Sequence, residues 1–205
     1  MTDVVLIPSV LGVRPAIRQV QERLGAGHRV HVVEVYAPGL TFDDYDPAIA
    51  HWRSLGLDDT PRLIHERVSD LPAEVVYAGF SAGAALALVL AATRPGARGA
   101  LALAGGPPLA ALGVDRWPAG VPVQAHAMVD DPFRDPDEFV GLQHDVTRAG
   151  AAFELFDYPG GGHLFADEGL PEYDAEAAAL MWSRVRTFLA KVGDSPDRSS
   201  GTVGQ

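Results

Sequence analysis

The chain has 205 residues, 47% of them hydrophobic and 21% charged, which suits one globular domain with a sizeable core. Its 27 acidic against 16 basic residues give a formal charge of −11, unfavourable for docking on a phosphate backbone or an anionic lipid surface. There is no cysteine, so disulfides and thiolate chemistry are excluded, and any zinc or iron site would need histidine and carboxylate ligands.

The chain opens on the apolar run Val4 to Ile7, stopped by Pro8, with no basic stretch and longer apolar segment of a signal peptide; a cytoplasmic location is expected. Pro15 to Leu24 carries Ile17, Val20 and Leu24 at helical spacing before Gly25 and Gly27, and Arg29 to Tyr36 reads as a second strand. Ala37 to Asp59, with Pro38, Gly39, Pro47 and many aspartates, reads as a long loop holding a short helix near Ile49 to Ser54. Pro61 to Ser69 predicts a helix, Glu74 to Ala78 a third strand, and Ala82 to Thr93 a helix apolar all round and hence buried. Gly99 to Ala104 is a fourth strand, Gly105 to Pro108 a break, and Val121 to Val129 a fifth strand ending at Asp130-Asp131-Pro132. A helix follows over Pro136 to Ala149, a sixth strand over Phe153 to Tyr158, and a last helix over Pro171 to Val192. One domain over residues 1–192 is expected, with Gly193 to Gln205 as a polar, disordered tail. No stretch approaches the roughly 18 apolar residues that span a bilayer, so no membrane segment is expected.

Strands and helices alternate, and the strands read as continuous apolar runs without in/out alternation. That pattern predicts an α/β protein with a parallel sheet covered by helices on both faces. In such a sheet, ligand chemistry gathers at the carboxyl ends of the strands. Four ends carry polar residues: Ser9, Ser81, Asp130 or Asp131, and His163.

Ser81 stands in Gly79-Phe80-Ser81-Ala82-Gly83, between a predicted strand and a predicted buried helix. There the two glycines remove side chains where the chain must turn sharply, and the serine is thrust clear of the sheet as a candidate nucleophile. The string alone arises by chance in alanine-rich chains; the flanking strand and helix distinguish it. A serine needs a base to take its proton and an acid to orient that base, and Ser, Asp, His is the chain order found when later strand ends supply them. His163, in the glycine-rich loop after the sixth strand, has the right place. The other six histidines fall in helical, strand-edge or charged surroundings or, for His126, inside a strand as a structural residue. Between Asp130 and Asp131 the residues alone do not choose. The Ala82 amide and, from the first loop, the Val10 amide are candidate oxyanion donors.

Taken together, Ile7-Pro8-Ser9-Val10-Leu11-Gly12-Val13, Glu34-Val35-Tyr36-Ala37, Val129-Asp130-Asp131-Pro132-Phe133 and Gly162-His163-Leu164-Phe165-Ala166 resemble the dienelactone hydrolase family up to about Val192. The resemblance implies a compact α/β-hydrolase fold of about six or seven strands without a large lid domain, and it implies Asp131 at the acid position. It also implies a catalytic set of Ser81, Asp131 and His163 acting on a small ester, lactone or thioester. Neither a metal nor a cofactor is expected, because Ala104-Gly105-Gly106-Pro107 lacks the spacing of a dinucleotide fingerprint and no HExxH or clustered ligand pattern occurs. The chain departs from the best-known members in three ways: Ser81 replaces a cysteine, Ser9 replaces a glutamate that tunes it, and Pro38 and Asp167 stand where two arginines bind a substrate carboxylate. An uncharged substrate is therefore expected, with Asp167 repelling anions. Ser9, Leu11, Tyr36, Phe42, Phe80 and Leu164 are expected to line the pocket, with Tyr45, Trp52 and the segment Pro107 to Trp117 as further walls. Partners beyond a small molecule are not expected, and the chain is read as a monomer or homodimer. A non-catalytic binding protein on the same fold is the competing reading, because fold does not guarantee chemistry; haloperoxidase-like or acyltransferase activity is a further one within the enzymes.

Overall fold

A computed structural model describes residues 1–56 and 60–194. The predicted tail beyond residue 194 and the end of the long loop at 57–59 lie outside the described residues. Six strands, β1 (Thr2–Ile7), β2 (His28–Val32), β3 (Val75–Phe80), β4 (Gly99–Leu103), β5 (Val123–Met128) and β6 (Phe153–Tyr158), form one sheet in the order β2-β1-β3-β4-β5-β6, every pair parallel. The helices are α1 (Pro15–Arg18), α2 (Val20–Leu24), α3 (Tyr45–Ser54), α4 (Thr60–Arg67), α5 (Ala82–Thr93), α6 (Pro136–Arg148) and α7 (Ala175–Gly193).

Alternate residues of each strand serve two cores. On one face Val4, Leu6, Val76, Ala78, Leu101 and Leu103 pack with Ile17, Val20 and the apolar side of α7, Met181, Trp182, Val185 and Leu189. On the other, Val5, Ile7, Val75, Tyr77, Ala100, Ala102, Ala125 and Ala127 meet α4, α5 and α6 through Ile64, Leu88, Leu90 and Leu142. Alanines on that second face leave room for α5, itself built from Ala, Leu, Val and Gly, to lie close against the sheet. No helix among the described residues is long and apolar enough to cross a membrane.

Several boundaries differ from the sequence expectation, each for a local reason. The single helix expected over 15–24 is interrupted at Gln19, yet Ile17, Val20 and Leu24 keep their spacing and stay in one core. β2 stops at Val32 instead of Tyr36 because its partner β1 ends at Ile7 before Pro8; only one more bond, from the Val33 amide to the Leu6 carbonyl, continues the pairing. In the long loop, α3 begins at Tyr45, so Pro47 lies in its first turn, where a missing N–H costs no helical hydrogen bond. α7 starts at Ala175 and not at Pro171, since the Asp174 carboxylate caps it by accepting from the Ala177 amide at 2.9 Å.

His126, within β5, is fully enclosed. Its Nε2–H donates to Gln124 Oε1 (2.9 Å) and its Nδ1 accepts from the Tyr158 hydroxyl (2.8 Å). The tautomer follows because the Gln124 amide nitrogen is spent on Glu154 Oε2 at 2.8 Å, which turns the oxygen to the ring. Burial, with Arg184 adding to it, pushes the His126 pKa from 6.5 down to about 3. The unfolded chain therefore binds a proton that the native state refuses. The contribution is complete above pH 6.5 and is lost as pH falls through that window toward about 3. The expected slope is roughly 1 kcal/mol of unfolding free energy per pH unit. Urea unfolding between pH 7 and 4.5 measures it; in His126→Gln, which cannot titrate, the decline is expected to be shallower.

Candidate active site

The turn from β3 into α5 positions Ser81 through steric exclusion. A methyl group at Gly79 would overlap the Gly83 carbonyl, and one at Gly83 would overlap the Ile7 and Pro8 carbonyls at the end of β1. Ser81 itself has φ 54° and ψ −119°, a conformation that L-residues avoid. Its amide donates to the Leu103 carbonyl at 2.7 Å and its carbonyl accepts from Ala84 at 2.8 Å, which holds the strained residue from both sides. Ala104, just after β4, is the other non-glycine residue with positive φ (56°) among the described residues, and a Cβ on the following Gly105 would come within 3.0 Å of the Ser81 carbonyl.

Three side chains from three strand ends meet here. The Ser81 hydroxyl donates to His163 Nε2 at 2.7 Å, and His163 Nδ1–H donates to Asp131 Oδ2 at 2.7 Å. The other oxygen, Asp131 Oδ1, accepts the Phe133 amide at 2.8 Å. His163 and Asp131 are buried, at 5% and 6% exposure, whereas Asp130 is exposed and uses its amide on the Gly160 carbonyl. Chemically, such a chain can move a proton from the serine to the imidazole while a carboxylate steadies the charge.

Two amides are the candidate oxyanion donors. Ala82 is the first residue of α5, where an N–H has no intrahelical acceptor, and the helix dipole adds a positive field. Val10 follows β1. The peptide after it is held on both sides: its carbonyl accepts the Tyr36 hydroxyl at 2.7 Å, and its N–H, that of Leu11, donates to Ser9 Oγ at 3.2 Å. Burial pushes the Tyr36 pKa up to about 12, which keeps that hydroxyl a donor.

Most of the expected pocket residues are buried, and Phe80 and Leu164 share a small cavity with His163. Leu11 is fully buried and Tyr36 is 4% exposed; Tyr36 packs edge-on against Phe42, His51 and Trp52, within the protein. Trp117 is likewise enclosed, its indole N–H on the Val121 carbonyl. Ser9, Phe80 and Leu164 share another small cavity with Arg14, Asp167 and Trp182. The apolar side chains that sequence marks as wall material pack within the two cores.

Arg14 and Glu172 carry no recognisable motif and escaped the sequence reading. The Arg14 guanidinium, 7% exposed, donates to Asp167 Oδ2 (2.8 Å), Asp43 Oδ1 (2.8 Å) and the Phe42 and Gly169 carbonyls (both 3.1 Å), joining three loops. Asp167 is thus neutralised by a buried cation, which corrects its reading as a bare charge repelling anions beside the site. Glu172 Oε1 accepts from the Leu164 amide (2.7 Å), directly after His163, and from the Tyr45 hydroxyl (2.6 Å). Burial first, and then that bond to Glu172, pushes the Tyr45 pKa up, so Tyr45 remains the donor. Among the described residues no group of three or more His, Asp or Glu side chains is placed to hold a metal ion.

The Arg14–Asp167 pair is almost wholly enclosed, whereas the Asp43 side chain is 96% exposed, so the first contact dominates. Arg14→Met is expected to lower the unfolding free energy by about 3 kcal/mol or more in urea titration, by leaving Asp167 buried without a partner. Adding Asp167→Leu to that variant should recover part of the loss.

A family model described as the dienelactone hydrolase family matches residues 1–193. Comparison with curated proteins gives no match. Among solved structures, the dienelactone hydrolase-like promiscuous phosphotriesterase P91 from metagenomic libraries superposes with a TM-score of 0.74 at 19% identity, over 94% of this chain and 87% of that one. The RedJ thioesterase from the prodiginine biosynthetic pathway in Streptomyces coelicolor gives 0.60 at 19% identity, over 91% and 89%. A phospholipase/carboxylesterase from Dyadobacter fermentans DSM 18053 gives 0.61 at 20% identity, over 90% and 89%. At these identities the superpositions establish a shared fold, and the family match extends it: the chain belongs to the dienelactone hydrolase family and is a hydrolase acting on ester bonds, built on the α/β-hydrolase fold.

Proposed function

We propose that the protein cleaves a small, uncharged ester, lactone or thioester through an acyl-enzyme on Ser81. The observation that carries this reading is the unbroken run of hydrogen bonds from Ser81 through His163 to Asp131, 2.7 Å at each step. Ser81 Oγ attacks the carbonyl carbon as its proton passes to His163 Nε2, and Asp131 stabilises the imidazolium. The carbonyl oxygen, now an oxyanion, lies against the Ala82 and Val10 amides. When the intermediate collapses, the bond to the leaving oxygen or sulfur breaks and that atom takes the proton from His163. Water then gives a proton to the same imidazole, attacks the acyl carbon and releases the acid with Ser81 restored.

Preference for an uncharged substrate no longer rests on Asp167. It rests on the exposed acidic side chains near the site, Asp43 and Asp44 before α3 and Asp130 before the acid, and on the engagement of Arg14 in internal bonds.

Ser81→Ala is expected to reduce turnover of short aryl esters by at least about 100-fold with an unchanged thermal melting curve. Full turnover in that variant refutes the mechanism. Rapid labelling of Ser81 by a fluorophosphonate separates it from a non-catalytic binding protein, whose serine would stay unmodified.

A further inference from the structure

We propose that Phe133, braced by Tyr45, forms a leaving-group subsite, and that the preferred esters are those of aromatic alcohols. This rests on the acyl-transfer reading of Ser81 and His163.

Phe133 is the one aromatic among the large hydrophobic side chains left exposed in the described residues, with half its surface open. It lies directly beside the imidazole: the Phe133 and His163 ring centroids are 4.7 Å apart with 47° between planes. Tyr45 closes the group, 5.2 Å from Phe133 and 5.8 Å from His163. The cluster is held by polar anchors at both ends. The Phe133 amide is fixed on Asp131 Oδ1, and the Tyr45 hydroxyl on Glu172 Oε1, the same oxygen that accepts from Leu164 next to His163. An aromatic surface is thus presented to solvent in a set orientation, with little freedom left to lose on contact.

Reaction geometry says which part of a substrate meets it. The leaving oxygen must come within about 3 Å of His163 Nε2 to take its proton, while the carbonyl oxygen is held at the Ala82 and Val10 amides. The first atoms beyond the leaving oxygen therefore fall beside His163, within reach of the open Phe133 ring. A flat ring one carbon from that oxygen can stack or meet Phe133 edge-on, arrangements aromatic pairs prefer. A carboxylate there would face the negative quadrupole of the ring and the nearby Glu172 and Asp130.

The test compares kcat/KM for benzyl acetate and cyclohexylmethyl acetate, whose alcohols are similar in size and acidity. The wild-type protein is expected to favour the benzyl ester by roughly five- to tenfold. Phe133→Ala and Phe133→Leu should bring the ratio to about 1, and Phe133→Tyr should retain it. Because both substrates use the same catalytic groups, a general loss of activity cancels in the ratio. A wild-type ratio near 1, or a ratio unchanged in Phe133→Ala, overturns the subsite. Ser81→Ala assayed alongside separates the two failures: if it is inactive while the wild-type ratio is near 1, only the subsite falls; if it turns over normally, the acyl-transfer reading falls and the subsite with it.

Discussion

The close approach of α5 to the end of β1 is the contact on which the site depends. With no side chain on Gly79 or Gly83, the first turn of α5 can sit against the Ile7 and Pro8 carbonyls. The chain leaves β3 so sharply that Ser81 takes a left-handed φ. That conformation is costly for a serine. It persists because the residue is bonded to β4 through Leu103 and to its own helix through Ala84. The same approach sets the end of β1 against the first turn of α5, directly after the serine.

Around this rigid centre the loops are held by polar ties and not by further strands. Arg14 joins the first loop to the segments around Phe42 and Gly169, and Glu172 joins the histidine loop to α3 through Leu164 and Tyr45. Each tie uses a charged group on backbone or hydroxyl partners, which makes it strong when enclosed and selective in geometry. The arrangement explains how His163 is held nearly buried: its neighbours are Tyr45, Phe133 and the Glu172-anchored backbone.

Much of the fold was legible because a parallel sheet buried on both faces leaves a plain signature, apolar runs such as Val75 to Ala78 alternating with helical spacing. The placement of Ser81 and His163 at strand ends was legible for a related reason, since each follows a strand and stands next to glycines that mark a sharp turn. Which aspartate meets His163 was not legible from residues alone. Asp130 and Asp131 are adjacent, and only the path of the chain after Met128 sends one to His163 and the other to solvent. The burial of the expected pocket residues was not legible either: Leu11, Tyr36 and Phe80 are apolar residues at or after strand ends, and apolarity does not distinguish a substrate wall from a core. Asp167 misled because its charge is visible in sequence while its partner Arg14, 153 residues earlier, is not.

What the sequence determined by itself is the local part: where strands end, where the backbone needs glycine, and which residue types stand at those ends. Propensity, periodicity and steric exclusion act over a few residues and can be read there. Tertiary structure alone decided what depends on long-range pairing, namely which aspartate meets the imidazole, which charges are cancelled, and which aromatic side chain remains open beside it. Those outcomes follow from burial and hydrogen-bond geometry between segments far apart in the chain, and no local pattern encodes them.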